Sequence, residues 1–324
     1  MTSNVARGIT GTILFKRETT YGSRVAATKD IGLVQTCTIN PDSNIAESQG
    51  VGQAVSIYTK PNIVNVKGSI EFEWQHGRPL EWAIYGGTTT HVQSGASGDW
   101  THTLVWSNSL PSLSGEVSFT DPDVETDYTS LQFGSSTISC TVDGILKMRG
   151  DFVGQAISDT TVATAAVVNA GAPLGGFEGS LSLGGSTVDY VQSWEVTINR
   201  NTKTIFGMGD RMNKWGASNL ANVSWKATIG LENVTQIGRL LSTAGTSIST
   251  TEPASFAAIF QADNGISLGS GRRELSMAMA GCQIKSFSVN LTKGDFTLYD
   301  ISGSGTIKTA ASCTCVDQIV DTSW

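Results

Sequence analysis

VNVKGSIEFEW, residues 64–74, alternates without a break between core-forming and polar residues. Val64, Val66, Gly68, Ile70, Phe72 and Trp74 occupy one phase, and Asn65, Lys67, Ser69, Glu71 and Glu73 the other. A period of two is the mark of a β-strand with one buried face, because successive side chains leave the pleat on opposite sides. The same alternation returns 157 residues later in ANVSWKATIGLE, residues 221–232. There Ala221, Val223, Trp225, Ala227, Ile229 and Leu231 alternate with Asn222, Ser224, Lys226, Thr228 and Gly230. A slip of one residue would reverse every side chain, so the retained phase carries weight beyond the identities.

Working outward, the offset of 157 needs no insertion from residue 34 to residue 84. It pairs Val34-Gln35 with Val191-Gln192, Asn44 with Asn201, Gly50 with Gly207 and Gly52 with Gly209. It also pairs Asn62 with Asn219, Asn65 with Asn222 and Val66 with Val223. A short helix is predicted after each strand. In the first, Pro79 suits the first helical turn and Gly86 or Gly87 the end, with Leu80, Ala83 and Ile84 on one face. In the second, Asn233 is the candidate N-cap and Gly245 the candidate end, with Ile237, Leu240 and Leu241 on the face. Farther on, Gly134, Ser139, Cys140 and Val142 match Gly281, Ser286, Phe287 and Val289 at an offset of 147. The triplet 150–152 matches 294–296 at 144. The expected organisation is two tandem domains, residues 1–160 and 161–324, each a mainly β sandwich or barrel with one short flanking α-helix.

The composition agrees. The chain has 324 residues, 15% charged and 39% hydrophobic, with 36 glycines and 7 prolines. That excludes a disordered chain and favours strands and turns. A net charge of −7 argues against a basic surface that grips nucleic acid. MTSNVARGITG at the start has no apolar run, and no stretch is apolar enough to span a bilayer, so no membrane partner is expected. Five cysteines, Cys37, Cys140, Cys282, Cys313 and Cys315, make no disulfide framework. Cys313-x-Cys315 lacks the second pair or histidines of a zinc site, so no metal and no cofactor is expected. The phosphate-loop, dinucleotide, zinc-protease and nucleophile-elbow motifs do not occur. His76, Arg78 and Glu81 are the one grouping in which catalysis could be imagined, and their counterparts Asn233 and Thr235 at the first two positions do not repeat it.

ETTYG (18–22), IGLVQTCTINPDSNIAESQGVG (31–52) and VNVKGSIEFEWQHGRPLEWAI (64–84) together resemble the tail tube proteins of long-tailed DNA viruses of bacteria and archaea. WTHTLVWSNSLPSLSGEVSF (100–119) and AGCQIKSFSVNL (280–291) fit the same family. The resemblance is strongest over 18–160. It implies a structural, non-enzymatic virion protein whose domains join edge to edge into rings, with stacked rings enclosing a DNA channel. Two domains per chain imply homotrimeric rings in place of six single-domain chains. Implied partners are further copies of the chain, viral DNA passing without sequence recognition, and tape-measure and tail-terminator proteins, with assembly in the host cytoplasm. The alternatives are a tail-tip or baseplate hub of the same fold, or a viral adhesin that binds the host surface.

Under that resemblance the polar phase of the two long strands lines the lumen. The candidates are Asn65, Lys67, Ser69, Glu71 and Glu73, with Asn222, Ser224, Lys226, Thr228 and Glu232. Two lysines against three glutamates leave −1, and a conduit for DNA should avoid net positive charge. Segments 40–61 and 197–218 are expected as long loops that reach the next ring. Their candidate contacts are Asp42, Ser43, Asn44 and Glu47, and Asn199, Arg200, Asn201 and Lys203.

Overall fold

The computed structural model describes residues 11–48, 51, 58–94, 99–120, 123–160, 171–217, 220–230, 255–268, 271–290, 297–306 and 313–317. The protein is mainly β. In the first half, β1 (Gly11–Arg17), β2 (Leu33–Ser48) and β3 (Tyr58–Glu73) precede helix α1 (Arg78–Leu80), which continues as a π-helical turn over Glu81–Tyr85. Then come β4 (Gly86–Ser94), β5 (Asp99–Trp106), β6 (Leu113–Thr120), β7 (Asp123–Thr141), β8 (Lys147–Gly154) and β9 (Ala156–Thr160). The second half holds β10 (Gly175–Leu183), β11 (Ser186–Val188), β12 (Val191–Asn199), β13 (Lys203–Phe206), β14 (Asn213–Ala217) and β15 (Asn222–Gly230). It ends with β16 (Phe256–Leu268), β17 (Gly271–Asn290), β18 (Leu298–Thr306) and β19 (Cys313–Asp317).

The alternation of the long strands is the alternation of burial. Val66, Ile70 and Phe72 of β3 and Trp74 just after it are buried, as are Val223, Trp225, Ala227 and Ile229 of β15. These faces belong to one antiparallel sheet of eight strands, in the order β2-β3-β8-β7-β12-β15-β18-β17. Its apolar side packs on a second layer made of two sheets, β1-β6-β7-β9 and β11-β10-β16-β17-β19-β5-β4. The strands β7 and β17 are long enough, at 19 and 20 residues, to run through both layers. Phe260 of β16 reaches across to Trp194 and Trp225, with ring centroids 5.5 and 6.1 Å apart. The helix lies wholly inside, with every residue from Arg78 to Tyr85 buried, and Gly86 ends it at φ 77°, the left-handed position expected of a terminal glycine. The second predicted helix, 233–245, lies outside the described residues.

The pairing repeats along the chain with a fixed displacement. Thr36 faces Glu71, and Ser193 faces Thr228, both members shifted by 157. A bulge interrupts the ladder between Val34 and Thr36, and again between Val191 and Ser193. At the far end Ser48 faces Tyr58, and Ile205 faces Trp215. The expected loops over 40–61 and 197–218 are therefore corrected. Each is the outer part of one long hairpin, continuous as β2 and β3 in the first half and kinked into β13 and β14 in the second. The polar sequence 40–48 reads as a loop because residues 40–43 and 45–47 are exposed on both faces of the strand, which leaves no apolar phase.

Downstream the structural displacement is 151, in place of the expected 147. Glu71 faces Arg149 where Thr228 faces Asp300, and Ser135 faces Asp151 where Ser286 faces Ser302. The bulge between Phe133 and Ser135 returns between Ile284 and Ser286. The two displacements differ by an even number, which leaves each side chain on the same face, so alternation alone could not separate them. Residues 294–296 lie outside the described residues, and the ladders set 150–152 against 301–303 instead, since Phe152 faces Gly68 where Gly303 faces Trp225.

One cross-strand contact is kept with its members exchanged. Gly68 of β3 faces Phe152 of β8, while Trp225 of β15 faces Gly303 of β18. Both glycines give the opposing ring room. A Cβ on Gly68 would lie 2.5 Å from Phe152, and one on Gly303 would lie 2.6 Å from Trp225. Gly68→Ala and Gly303→Ala are each expected to cost about 1–3 kcal/mol of stability through overpacking. Gly175→Ala, which meets nothing within 4 Å, is expected to be neutral or slightly stabilising. Thermal and denaturant unfolding of the three variants checks this.

Candidate functional site

The side of the eight-stranded sheet that turns away from the core is mostly polar, with Val153 beside Lys67 as an apolar exception. Lys67, Asn222, Ser224 and Lys226 are exposed, and Asn65, Ser69, Glu71, Glu73 and Thr228 are half-buried, so the structure brings nine of the ten predicted residues onto one face. Glu232 lies outside the described residues. Charges are paired across strands: Glu71 with Lys147 at 3.6 Å and Glu195 with Lys226 at 3.0 Å. Thr228 donates to Asp300 at 2.7 Å, and the hydroxyls of Thr137 and Thr197 meet at 3.0 Å. Such exposed pairs add little stability. Their effect is a hydrated face without a strong field of either sign. An open groove lined by Thr38, Lys67, Ser69, Ser135, Asp151 and Thr202 crosses it.

The two halves of this sheet meet where β7 pairs with β12. Arg200 closes that seam. It is 1% exposed and stacks on Trp106, with its guanidinium carbon 3.5 Å from the ring centroid. Nε donates to the carbonyl of Ile84 at 2.8 Å, Nη2 to that of Tyr85 at 3.1 Å and Nη1 to that of Ser107 at 2.8 Å. The first two carbonyls end the helix, where no intrahelical donor remains. Burial lowers the guanidinium to about 10, which still leaves it charged at neutral pH. The expectation of Arg200 as an inter-ring contact does not fit this placement, since the side chain is inside the protein. The sequence signal was available: an arginine stands where the first half has Ser43.

A second tie crosses between the halves. The hairpin of β4 and β5 pairs with β19, the last described strand. Asp317 accepts from the Gly77 amide at 2.9 Å and lies 3.0 Å from Nε2 of His102, whose Nδ1 meets Nδ1 of His91 at 2.6 Å. Burial pushes the Asp317 carboxyl up, but its hydrogen bond to His102, the nearby imidazoles of His102 and His76 and the Gly77 amide together hold it below the usual carboxylate range. Sequence reading missed this strand pairing, because hairpin and partner are more than 200 residues apart.

The remaining candidates are interior. His76, Arg78 and Glu81 are buried, Arg78 against the carbonyl of Asp30 at 3.0 Å and Glu81 against Arg17 at 3.2 Å. Cys313 and Cys315 are fully buried, and burial raises the Cys313 thiol to about 12. Glu116, Glu125 and Asp127 lie together on β6 and β7, with Arg24 bridging Glu125 at 3.3 Å and Asp127 at 2.5 Å.

The hairpin arms carry the other predicted contacts. Asp42, Ser43 and Glu47 are exposed on β2, Asn44 stands at its second bulge, and Lys203 is exposed on β13. Asn199 is half-buried and accepts from the amide of Asn201, which sits at φ 49° and donates to the Leu220 carbonyl. The arms lie side by side: Arg211 donates to the Asn62 carbonyl at 2.9 Å and to Ser43 at 3.4 Å. Val51 and Met208, 157 residues apart, are both fully exposed.

Arg200→Ala is expected to remove the guanidinium donors to the Ile84, Tyr85 and Ser107 carbonyls, of which Tyr85 keeps the Ser107 amide, at about 1–3 kcal/mol. Arg200→Lys should recover only part, since an ammonium cannot reproduce a planar fork stacked on Trp106. Ser43→Ala, at the counterpart position, should be nearly silent. Unfolding midpoints of the three variants test the contrast.

A family model described as phage tail tube protein matches residues 8–271, most of the chain and parts of both halves. The search of curated proteins finds no match.

Proposed function

The chain belongs to the phage tail tube protein family, and from that premise we propose that three copies close into a ring whose stacked layers form the inner tube of a viral tail. In this reading residues 1–160 and 161–324 are duplicated tube domains, and the polar face of the eight-stranded sheet lines the lumen. The observation that carries it is the sheet itself. Four strands of each half join in one sheet, with the same order, registers and bulges, and that sheet ends in β2 and the outer part of β17, residues 283–290, whose far sides have no neighbour among the described residues. Three such sheets laid edge to edge form a continuous barrel in which no edge remains open.

The lumen face suits DNA passage. Glu71–Lys147 and Glu195–Lys226 are paired, and Lys67 and Arg149 share the face with Glu73, Asp151 and Asp300, so phosphates meet no uniform run of cations to release counterions against. The exposed hairpin arms suit contacts with the next ring. Tape-measure and tail-terminator proteins are the expected neighbours inside and at the end of such a tube, and the protein is a component of the virion. The role is structural, in keeping with the interior placement of His76, Arg78 and Glu81.

Electron microscopy of the purified protein tests this. The expected image is a tube whose rings contain three chains, with pseudo-sixfold appearance and true threefold symmetry, because the halves differ in sequence. Rings of six chains, or a second half standing outside the barrel as decoration, would contradict it. Isolated rings that never stack would point to a hub.

A further inference from the structure

The internal seam supplies a template for the junction between chains. Along it Thr197 faces Thr137, Val196 faces Ile138 and Asn199 faces Ser135. The strand β2 stands to β12 at a displacement of 157, and the outer part of β17 to β7 at 151, as the ladders and bulges show. Carrying the seam outward by those displacements places Asn40 opposite Ser288, Ile39 opposite Val289 and Asp42 opposite Ser286. We infer that β17 of one chain pairs antiparallel with β2 of a second copy in this register, through a junction chemically weaker than the internal seam. The inference rests on the ring reading above and adds its register and its asymmetry.

Exposure supports a missing neighbour at these positions. Val196 and Ile138, which face each other inside the seam, are both 0% exposed. Their counterparts at the free edges are not covered: Val289 is 43% exposed and Ile39 is half-buried. Beside them Phe287 and Pro41 are also incompletely buried and face each other in the inferred register. Pairing would therefore cover an apolar row on the core side while Asn40 and Ser288 meet on the polar side. A second copy supplies the matching edge, since each chain carries one of each.

The weakness follows from two substitutions. The amide of Arg200 donates to Gly134, and the carbonyl of Gln192 accepts from Val142, so even-numbered residues of β12 point their backbone groups toward β7. Ile198 is one of them, and its counterpart on β2 is Pro41. The ring of Pro41 removes an N–H that faces the incoming strand, so the inter-chain ladder has one donor fewer. The counterpart of Arg200 is Ser43, so the buried guanidinium that ties the seam to the helix end has no equivalent between chains. A proline and a missing clamp on the open edge discourage pairing of free chains before assembly.

Cysteine pairs read the register directly, in a Cys37→Ser background. Asn40 and Ser288 fall at a non-hydrogen-bonded pair, where Cα atoms approach to about 4.5 Å, within disulfide reach. Asn40→Cys with Ser288→Cys, or Asp42→Cys with Ser286→Cys, is expected to yield covalently closed trimers when assembled protein is oxidised. Thr38→Cys with Ser286→Cys, the register that a displacement of 147 would give, is expected to yield none. Thr137→Cys with Thr197→Cys should oxidise within one chain, assembled or not. Cross-linking of the 38–286 pair would overturn the register. So would assembled rings in which neither inferred pair links while the 137–197 pair does. Failure of the unmodified chain to form rings would instead overturn the ring reading.

Discussion

A β-sheet that stops leaves a row of backbone N–H and C=O groups facing outward, and those groups accept any strand that presents the complementary row. That constraint governs this molecule. Inside the chain it is met once, where β7 and β12 join four strands of each half into one eight-stranded sheet. At β2 and along the outer part of β17, residues 283–290, it is unmet among the described residues. The apolar core, the buried helix and the two strands that run through both layers hold this sheet in shape. Its two open edges are what the proposed ring uses.

The internal seam and the proposed junction between chains need not have equal strength. Arg200 binds the two halves by filling the end of the first helix, and the pairing of β4–β5 with β19 ties them again through Asp317 and His102. A single-domain subunit cannot divide labour in this way, because every junction in its ring is the same. With two halves in one chain, one seam can be permanent while the other, bearing Pro41 and Ser43, stays open until assembly. The exchange of Gly68 and Phe152 for Trp225 and Gly303 shows the same latitude in the core: the volume at the contact is kept while its source moves across the strand pair.

Much of this was legible in the sequence because strand phase is a local signal. The faces of β3 and β15, the first helix with its terminal glycine, and the displacement of 157 all follow from spacing. What was not legible depended on long-range register. The true displacement of 151 was hidden because 147 preserves the same faces. The hairpin arms read as loops in the sequence because exposed side chains on both faces leave no apolar phase to count. Arg200 was placed on the surface because arginine usually belongs there, and only the helix end beneath it reveals the three carbonyls it serves. The partnership of His102 with Asp317 joins strands that no local pattern connects.

The most direct measurement is hydrogen exchange of the backbone amides in the free chain and in assembled tubes. The account predicts that, in peptides spanning residues 33–43 and 283–290, the amides facing the open edge exchange fast in the free chain and become protected on assembly. Peptides from the internal seam, 135–141 and 193–199, should be protected in both states. Equal exchange of the β2 and β17 peptides before and after assembly would contradict the claim that these two edges join one chain to the next.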